Sequence, residues 1–138
     1  MVLVDTPVWS LFLRRRAVDL NPTERRLSQS LDALVRQHRV QMLGSVRQEV
    51  LSGIREETQF RKIRDYLRDF PDVDQDLGDY EEAAHMSNQC RRAGIAGSPV
   101  DMLICAVALH RGWEIFSTDQ DFIQYSRVLP LQMFQGAI

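Results

Sequence analysis

Four carboxylates stand where a folded core would not be expected to place them. Asp5 follows the apolar run Met-Val-Leu-Val and precedes Thr6 and Pro7, and Asp119 follows another apolar stretch in "WEIFSTDQD". Glu49 falls on the same helical stripe as Val46, Val50, Gly53 and Ile54, so it is expected to face inward. Asp101 precedes "MLICAVAL", a stretch apolar on every side and therefore a buried helix. Each acid has an ordinary use. Asp5 and Asp119 could cap helices, and Asp101 could complement a helix dipole. Four together are harder to explain that way. Without counter-charge they would repel, and burial would drive them to bind protons or a cation. The chain's one lysine, Lys62, belongs to a solvent-facing helix. Oxygen ligands without clustered Cys or His point to a hard cation, Mg²⁺ or Mn²⁺.

The elements that must position these acids alternate between strand and helix. Residues 2–5 are expected as a strand, 7–14 as a helix, and 22–37 as an amphipathic helix capped by Asn21, with Leu27, Leu31, Leu34 and Val35 on one face. "VQMLG" predicts a second strand, after which Ser45 and Gln48 have the spacing of a capping box. "ETQFRKIRDYLRDF" forms the next helix, stopped by Pro71, and "PDVDQDL" is a short edge strand or loop. A helix over 79–93 ends at Gly94. Another over 99–111 starts from Ser98 and Pro99. "WEIFST", a short helix over 120–126, and a last strand "LPLQMF" complete the chain. Strands separated by helices imply a mainly parallel sheet with helices on both faces. Ligands gather at the carboxyl ends of such strands, where Asp5 and Asp119 stand.

Composition sets the bounds. With 138 residues, no repeats and no Gly- or Ser-rich linker, the chain is expected to be one domain, 1–138. Such a domain buries roughly 70% of the surface its unfolded chain exposes, so it needs no disulfide staple. Cys90 and Cys105 have no partner at zinc-like spacing; Cys105 is expected as a small core residue and Cys90 as half-buried. There is no leader-like start, and the apolar run from Met102 to Leu109 is too short to span a bilayer, so the expectation is a soluble, cytoplasmic protein. Net charge is −2, yet residues 1–68 carry +5 and residues 69–138 carry −7. Sixteen of the 17 basic residues are Arg, whose planar fork suits phosphates.

"VDTPVWS", Glu49 in "RQEVLSG", "DMLICAVALHRG" and "FSTDQDF" resemble, in order and spacing, the four acidic motifs of PIN-domain ribonucleases, especially VapC-type toxins of bacterial toxin–antitoxin pairs. The likeness runs through essentially the whole chain, including "YEEAAHMSNQCRRAGI". It implies a three-layer α/β/α sandwich, Mg²⁺- or Mn²⁺-dependent endoribonuclease activity, a homodimer, and inhibition by a small antitoxin protein. By motif match the catalytic acids are Asp5, Glu49, Asp101 and Asp119, with Asp5, Asp101 and Asp119 on the metal. Thr6 and Thr118 match small polar positions that support the site. "TDQD" offers Asp121 as a further ligand, so the fourth role is shared or reassigned between two acids. The residue types fit hydrolysis of a phosphodiester by metal-activated water, which needs no side-chain nucleophile. Arg14, Arg15 and Arg16 could hold the RNA backbone at the rim, or be simply solvated, since three consecutive residues cannot share one helix face.

Other signals fall away. "DVDQDLGDYEEA" imitates a calcium loop but has Leu77 where glycine is required and Ala83 where the terminal Glu belongs. His38, His85 and His110 are scattered, Pro7 stands where a DxD phosphatase needs its second Asp, and residues 113–138 lack a receiver's lysine. Trp9 and Trp113 are expected in packing roles. The rival is a PIN-like fold that binds RNA or protein without cutting.

Overall fold

The structure, a computed structural model, describes residues 1–135, so the last three positions of the expected 1–138 domain lie outside the described residues. The first strand, β1 (Val2–Val4), has all three side chains fully buried. Successive strand residues face opposite sides, so both faces of β1 are covered. That is why the run carries no polar residue before Asp5. β1 is the middle of a parallel sheet of order β2-β1-β3, where β2 is Val40–Gln41 and β3 is Glu114–Phe116. Leu3 stands between Gln41 and Ile115. Single parallel bridges extend both edges, Met42 to Asp72 and Ile115 to Met133.

Around this sheet lie α1 (Thr6–Arg14), α2 (Pro22–Arg36), α3 (Gly44–Ser52), α4 (Glu57–Leu67), α5 (Leu77–Arg92), α6 (Pro99–Arg111) and α7 (Asp121–Ser126), with a 3₁₀ turn at Ala17–Asp19. The expected three-layer α/β/α sandwich is the observed one. Local chemistry sets most boundaries. Asn21 and Glu24 exchange hydrogen bonds in a capping box at the start of α2, and Ser98 caps α6 by accepting from the Asp101 amide. Gly112, at φ 67°, ends α6 in the left-handed conformation that glycine adopts without penalty.

Several expectations need correction. α3 begins at Gly44 with Leu43 at the cap position and no side-chain cap, so the Ser45–Gln48 box does not form. The buried Leu43 takes the cap position two residues earlier, and the Ser45 hydroxyl is left buried without a partner. The expected last strand over 129–134 is reduced to one bridge, at Met133, and 71–77, expected as an edge strand or loop, is a loop with one bridge at Asp72 up to the start of α5. α5 starts at Leu77 because Asp76 caps it, exchanging hydrogen bonds with Asp79. Cys90 is fully buried rather than half-buried.

The core runs from β1 and β3 into α6, whose Met102, Ile104, Cys105, Ala106, Val107 and Ala108 are buried around the whole helix. Trp9 is fully buried, edge-on to Phe12 and Phe70, in the expected packing role. Among the described residues the buried charged side chains are Asp5 and Asp79. Asp79 is fully paired. Arg111 donates to both its carboxylate oxygens at 3.0 Å, and His110 Nδ1 lies 2.9 Å from Oδ1. The Arg111 guanidinium holds the Asp79 carboxyl well below the usual carboxylate range. Asp79 is therefore structural, locking α5 to the end of α6. The same comparison separates Asp5, which has no such partner.

Candidate metal centre

β1 ends at Val4, and Asp5 is the first residue beyond it. Its backbone N–H still donates to Phe116 of β3, so the sheet fixes where the carboxylate emerges. The side chain is 4% exposed, accepting from the Thr6 amide at 2.8 Å through Oδ1 and from the Ser117 hydroxyl at 2.7 Å through Oδ2. Burial outweighs these two donors, and with help from nearby Asp101 and Glu49 it pushes the Asp5 carboxyl up to about 6. Asp5 also occupies the cap position of α1. Both readings of it, cap and site acid, describe the same atom positions.

Asp101 lies in the first turn of α6, half-buried, because Ser98 and Pro99 start the helix just before it. Its Oδ2 accepts from the Tyr125 hydroxyl at 2.7 Å. Burial raises the Asp101 carboxyl above its ordinary value, Tyr125 and Ser98 oppose that rise, and Asp119 and Asp121 add to it. Asp119 follows β3, and Asp121 opens α7 and donates its backbone N–H to Asp119 Oδ1 at 2.9 Å. One carboxylate oxygen each from Asp101, Asp119 and Asp121 lies within 4.8 Å of the others. Among the described residues no Arg, Lys or His forms an ion pair with these three acids, with Asp5 or with Glu49. Converging carboxylates with no protein counter-charge are a donor set that a hard divalent cation fits.

The grouping differs in two respects from the sequence expectation. Asp121, offered there as an additional ligand, is one of the three converging acids, whereas Asp5 lies beside that trio rather than in it. Glu49 is exposed, not inward-facing. Val46 and Val50 define the buried stripe of α3, and Glu49 sits at its edge, where Thr6 Oγ1 donates to Glu49 Oε1 at 2.9 Å. The expected supporting role of Thr6 thus has a contact behind it. That of Thr118 does not: it is exposed, and the hydroxyl that reaches Asp5 belongs to Ser117.

Ser117 and Tyr125 escaped the sequence reading. Ser117 is two residues from Asp119 at the strand end, and its Oγ also accepts from the Asp119 amide at 3.1 Å. Tyr125, four residues beyond Asp121 on α7, is the hydroxyl-bearing member of an otherwise apolar helix face shared with Phe122. A polar tip on a buried ring close in sequence to acids was the available signal.

The three arginines diverge. Arg15 pairs with Glu24 at 3.6 Å and Arg16 with Asp19 at 3.3 Å, both on the exposed surface. Among the described residues no acid pairs with Arg14, the last residue of α1. A groove of about 360 Å³ between α1 and α4 is lined by Pro7, Ser10, Leu11, Arg14, Arg15 and Gln59. Among the described residues no helix is long and apolar enough to cross a membrane.

A family model of the PIN domain matches residues 2–128. The chain is similar to ribonuclease VapC11 of Mycobacterium tuberculosis, 28% identical over 134 residues that cover 96% of each chain. Its fold is similar to the crystal structure of FitAcB from Neisseria gonorrhoeae, with a TM-score of 0.75, 19% identity and coverage of 99% of this chain and 98% of the other. It is similar also to that of VapBC2 from Rickettsia felis bound to a DNA fragment from their promoter, with a TM-score of 0.74, 14% identity and coverage of 97% and 98%. At these identities the two structural likenesses speak for the fold.

Proposed function

Because the chain belongs to the PIN-domain family, we propose that it is a Mg²⁺- or Mn²⁺-dependent endoribonuclease of the VapC type, acting as the toxin of a toxin–antitoxin pair. The observation that carries this reading is the convergence of Asp101, Asp119 and Asp121 within 4.8 Å beside a buried, unpaired Asp5. Similarity to a VapC ribonuclease along 96% of the chain supports the substrate class.

Asp101, Asp119 and Asp121 are the residues that would hold the ion, with Asp5 adjoining them. When bound, it supplies positive charge that lowers the pKa of water and offsets charge on the scissile phosphate. The chain supplies the rest. Ser117 and the Thr6 amide each donate to one oxygen of Asp5, so the buried carboxylate is held in one orientation beside the three acids. Glu49 accepts from Thr6 through Oε1, which leaves Oε2 to orient water or an RNA hydroxyl at the mouth. Arg14, with no acid partner among the described residues, contacts an RNA phosphate along the α1–α4 groove, and Arg15 and Arg16 serve it less because Glu24 and Asp19 engage them. No side chain is asked to form a covalent bond.

The proposed assembly is a homodimer held inactive by a small antitoxin protein. An arginine from that partner would meet the uncompensated carboxylates as a bidentate donor and compete with the ion.

One oligonucleotide that is cut, and its copy with a single 2′-deoxy sugar immediately 5′ of the scissile phosphate, test the chemistry. Water attack leaves 5′-phosphate and 3′-hydroxyl ends and tolerates the deoxy sugar. Cyclic-phosphate ends with an uncut deoxy copy would overturn this reading, as would full activity in EDTA.

A further inference from the structure

We infer that Tyr125 is a positioning residue for the metal centre, fixing the Asp101 carboxylate in the orientation that lets it meet Asp119 and Asp121. The inference rests on the reading of Asp101 as a metal-holding acid.

Three observations carry it. Tyr125 is 1% exposed, with its ring edge-on to Phe122 at a centroid distance of 5.1 Å, so the phenol cannot swing away. Its hydroxyl donates to Asp101 Oδ2 at 2.7 Å, a short bond to a charged acceptor. Finally, Tyr125 stands on α7, the helix that Asp121 opens, whereas Asp101 stands on α6. The bond therefore ties together the two helices that contribute separate acids to the cluster.

The physical need for such a tie is clear. Asp101, Asp119 and Asp121 repel one another before an ion arrives, and a half-buried aspartate free to rotate would turn toward water. A single donor on one oxygen removes that rotation. Partners of this kind, one step removed from the metal, typically change metal affinity by 10–100-fold when deleted. Asp101 Oδ2 also gives the buried Tyr125 phenol the hydrogen-bond acceptor it requires, so the same contact satisfies fold and site.

The test is Mn²⁺ titration by calorimetry on the full chain, using the wild type, Tyr125→Phe and Phe122→Leu, with thermal unfolding in EDTA recorded for each. Tyr125→Phe keeps the ring and is expected to weaken Mn²⁺ binding about tenfold or more. Cleavage should recover toward the wild-type rate when Mn²⁺ is raised to saturation. Phe122→Leu disturbs the same packing without touching the hydrogen bond, and is expected to lower the unfolding temperature but hold Mn²⁺ affinity within about twofold. Unchanged Mn²⁺ affinity in Tyr125→Phe overturns the positioning role while leaving the nuclease reading intact. Equal losses in both variants also overturn it, because packing alone would then be responsible. Failure of the wild type to bind Mn²⁺ would instead strike the metal reading itself.

Discussion

Ser117 Oγ donates to Asp5 Oδ2 at 2.7 Å and accepts from the Asp119 backbone N–H at 3.1 Å, so one hydroxyl ties the acid at the end of β1 to the acid that follows β3. Neighbouring parallel strands make this possible, since Val4 and Phe116 are register partners and the residues just beyond them emerge side by side. The bond opposes the desolvation that raises the Asp5 carboxyl.

Removing that hydroxyl should therefore raise the Asp5 carboxyl further. In Ser117→Ala the acid limb of the cleavage rate–pH profile is expected to move to higher pH, and the rate at neutral pH to fall about tenfold. Thr118→Ala, altering an exposed neighbour, should stay within about twofold of wild type. A profile for Ser117→Ala that superimposes on the wild-type curve would refute the coupling.

Asp5 makes stability depend on pH in a defined direction. Its folded carboxyl titrates at about 6 against an ordinary value of 3.8, so the folded state holds this proton more tightly than the unfolded one. Stability contributed by protonation is fully present below 3.8, declines as pH rises to about 6, and is absent above. In EDTA at pH 7.5, Asp5→Asn is expected to unfold at higher temperature than wild type, with a stability gain on the order of 3 kcal/mol at most. At pH 3.5 the two should converge. Cleavage by Asp5→Asn should be lost throughout. Equal wild-type and variant melting temperatures at pH 7.5 would contradict the raised carboxyl.

The roles of Asp119 and Asp121 separate by metal titration. Asp101→Asn, Asp119→Asn and Asp121→Asn should each weaken Mn²⁺ binding by more than tenfold, since each removes one of three converging carboxylates. All three should remain folded, because none of these acids neutralises a protein cation. An Asp121→Asn variant with wild-type Mn²⁺ affinity would return the role to Asp119 alone.

Asp79 offers the contrasting experiment. Arg111 and His110 hold it inside the fold, so Asp79→Ala strands the half-buried Arg111 guanidinium and is expected to cost about 3–5 kcal/mol in urea unfolding. Mn²⁺ affinity of the folded fraction should be unchanged. A loss under about 1 kcal/mol would mean the pair contributes as little as a surface ion pair.

For the groove, Arg14→Ala should weaken RNA binding and reduce the slope of log affinity against log salt by about 0.7–1, the signature of one lost phosphate contact. Arg16→Ala, engaged with Asp19, should leave that slope unaltered. Filter binding of an uncleavable oligonucleotide over a salt series would show both.

The sequence by itself determined the alternation of strands and helices, the placement of Asp5 and Asp119 at strand ends, and the hard-oxygen character of the site. Those follow from local rules: a strand buried on both faces is apolar throughout, Pro and Ser mark helix starts, and a carboxylate in such a context is conspicuous. Glu49 shows where local rules stop. Its spacing from Val46 is that of a buried residue, but a helix face has edges, and only the packing of α3 against α1 decided that position 49 faces the mouth of the site. Ser45 shows the same limit, because a buried Leu43 moved the helix start past a plausible cap. Only the tertiary structure could select Ser117 over Thr118, join Tyr125 to Asp101 across two helices, and set Asp121, which "TDQD" offers as a further ligand, among the converging acids with Asp5 beside them. Each of these is a contact made in space by side chains from separate elements, and periodicity along a chain carries no information about which separate elements meet.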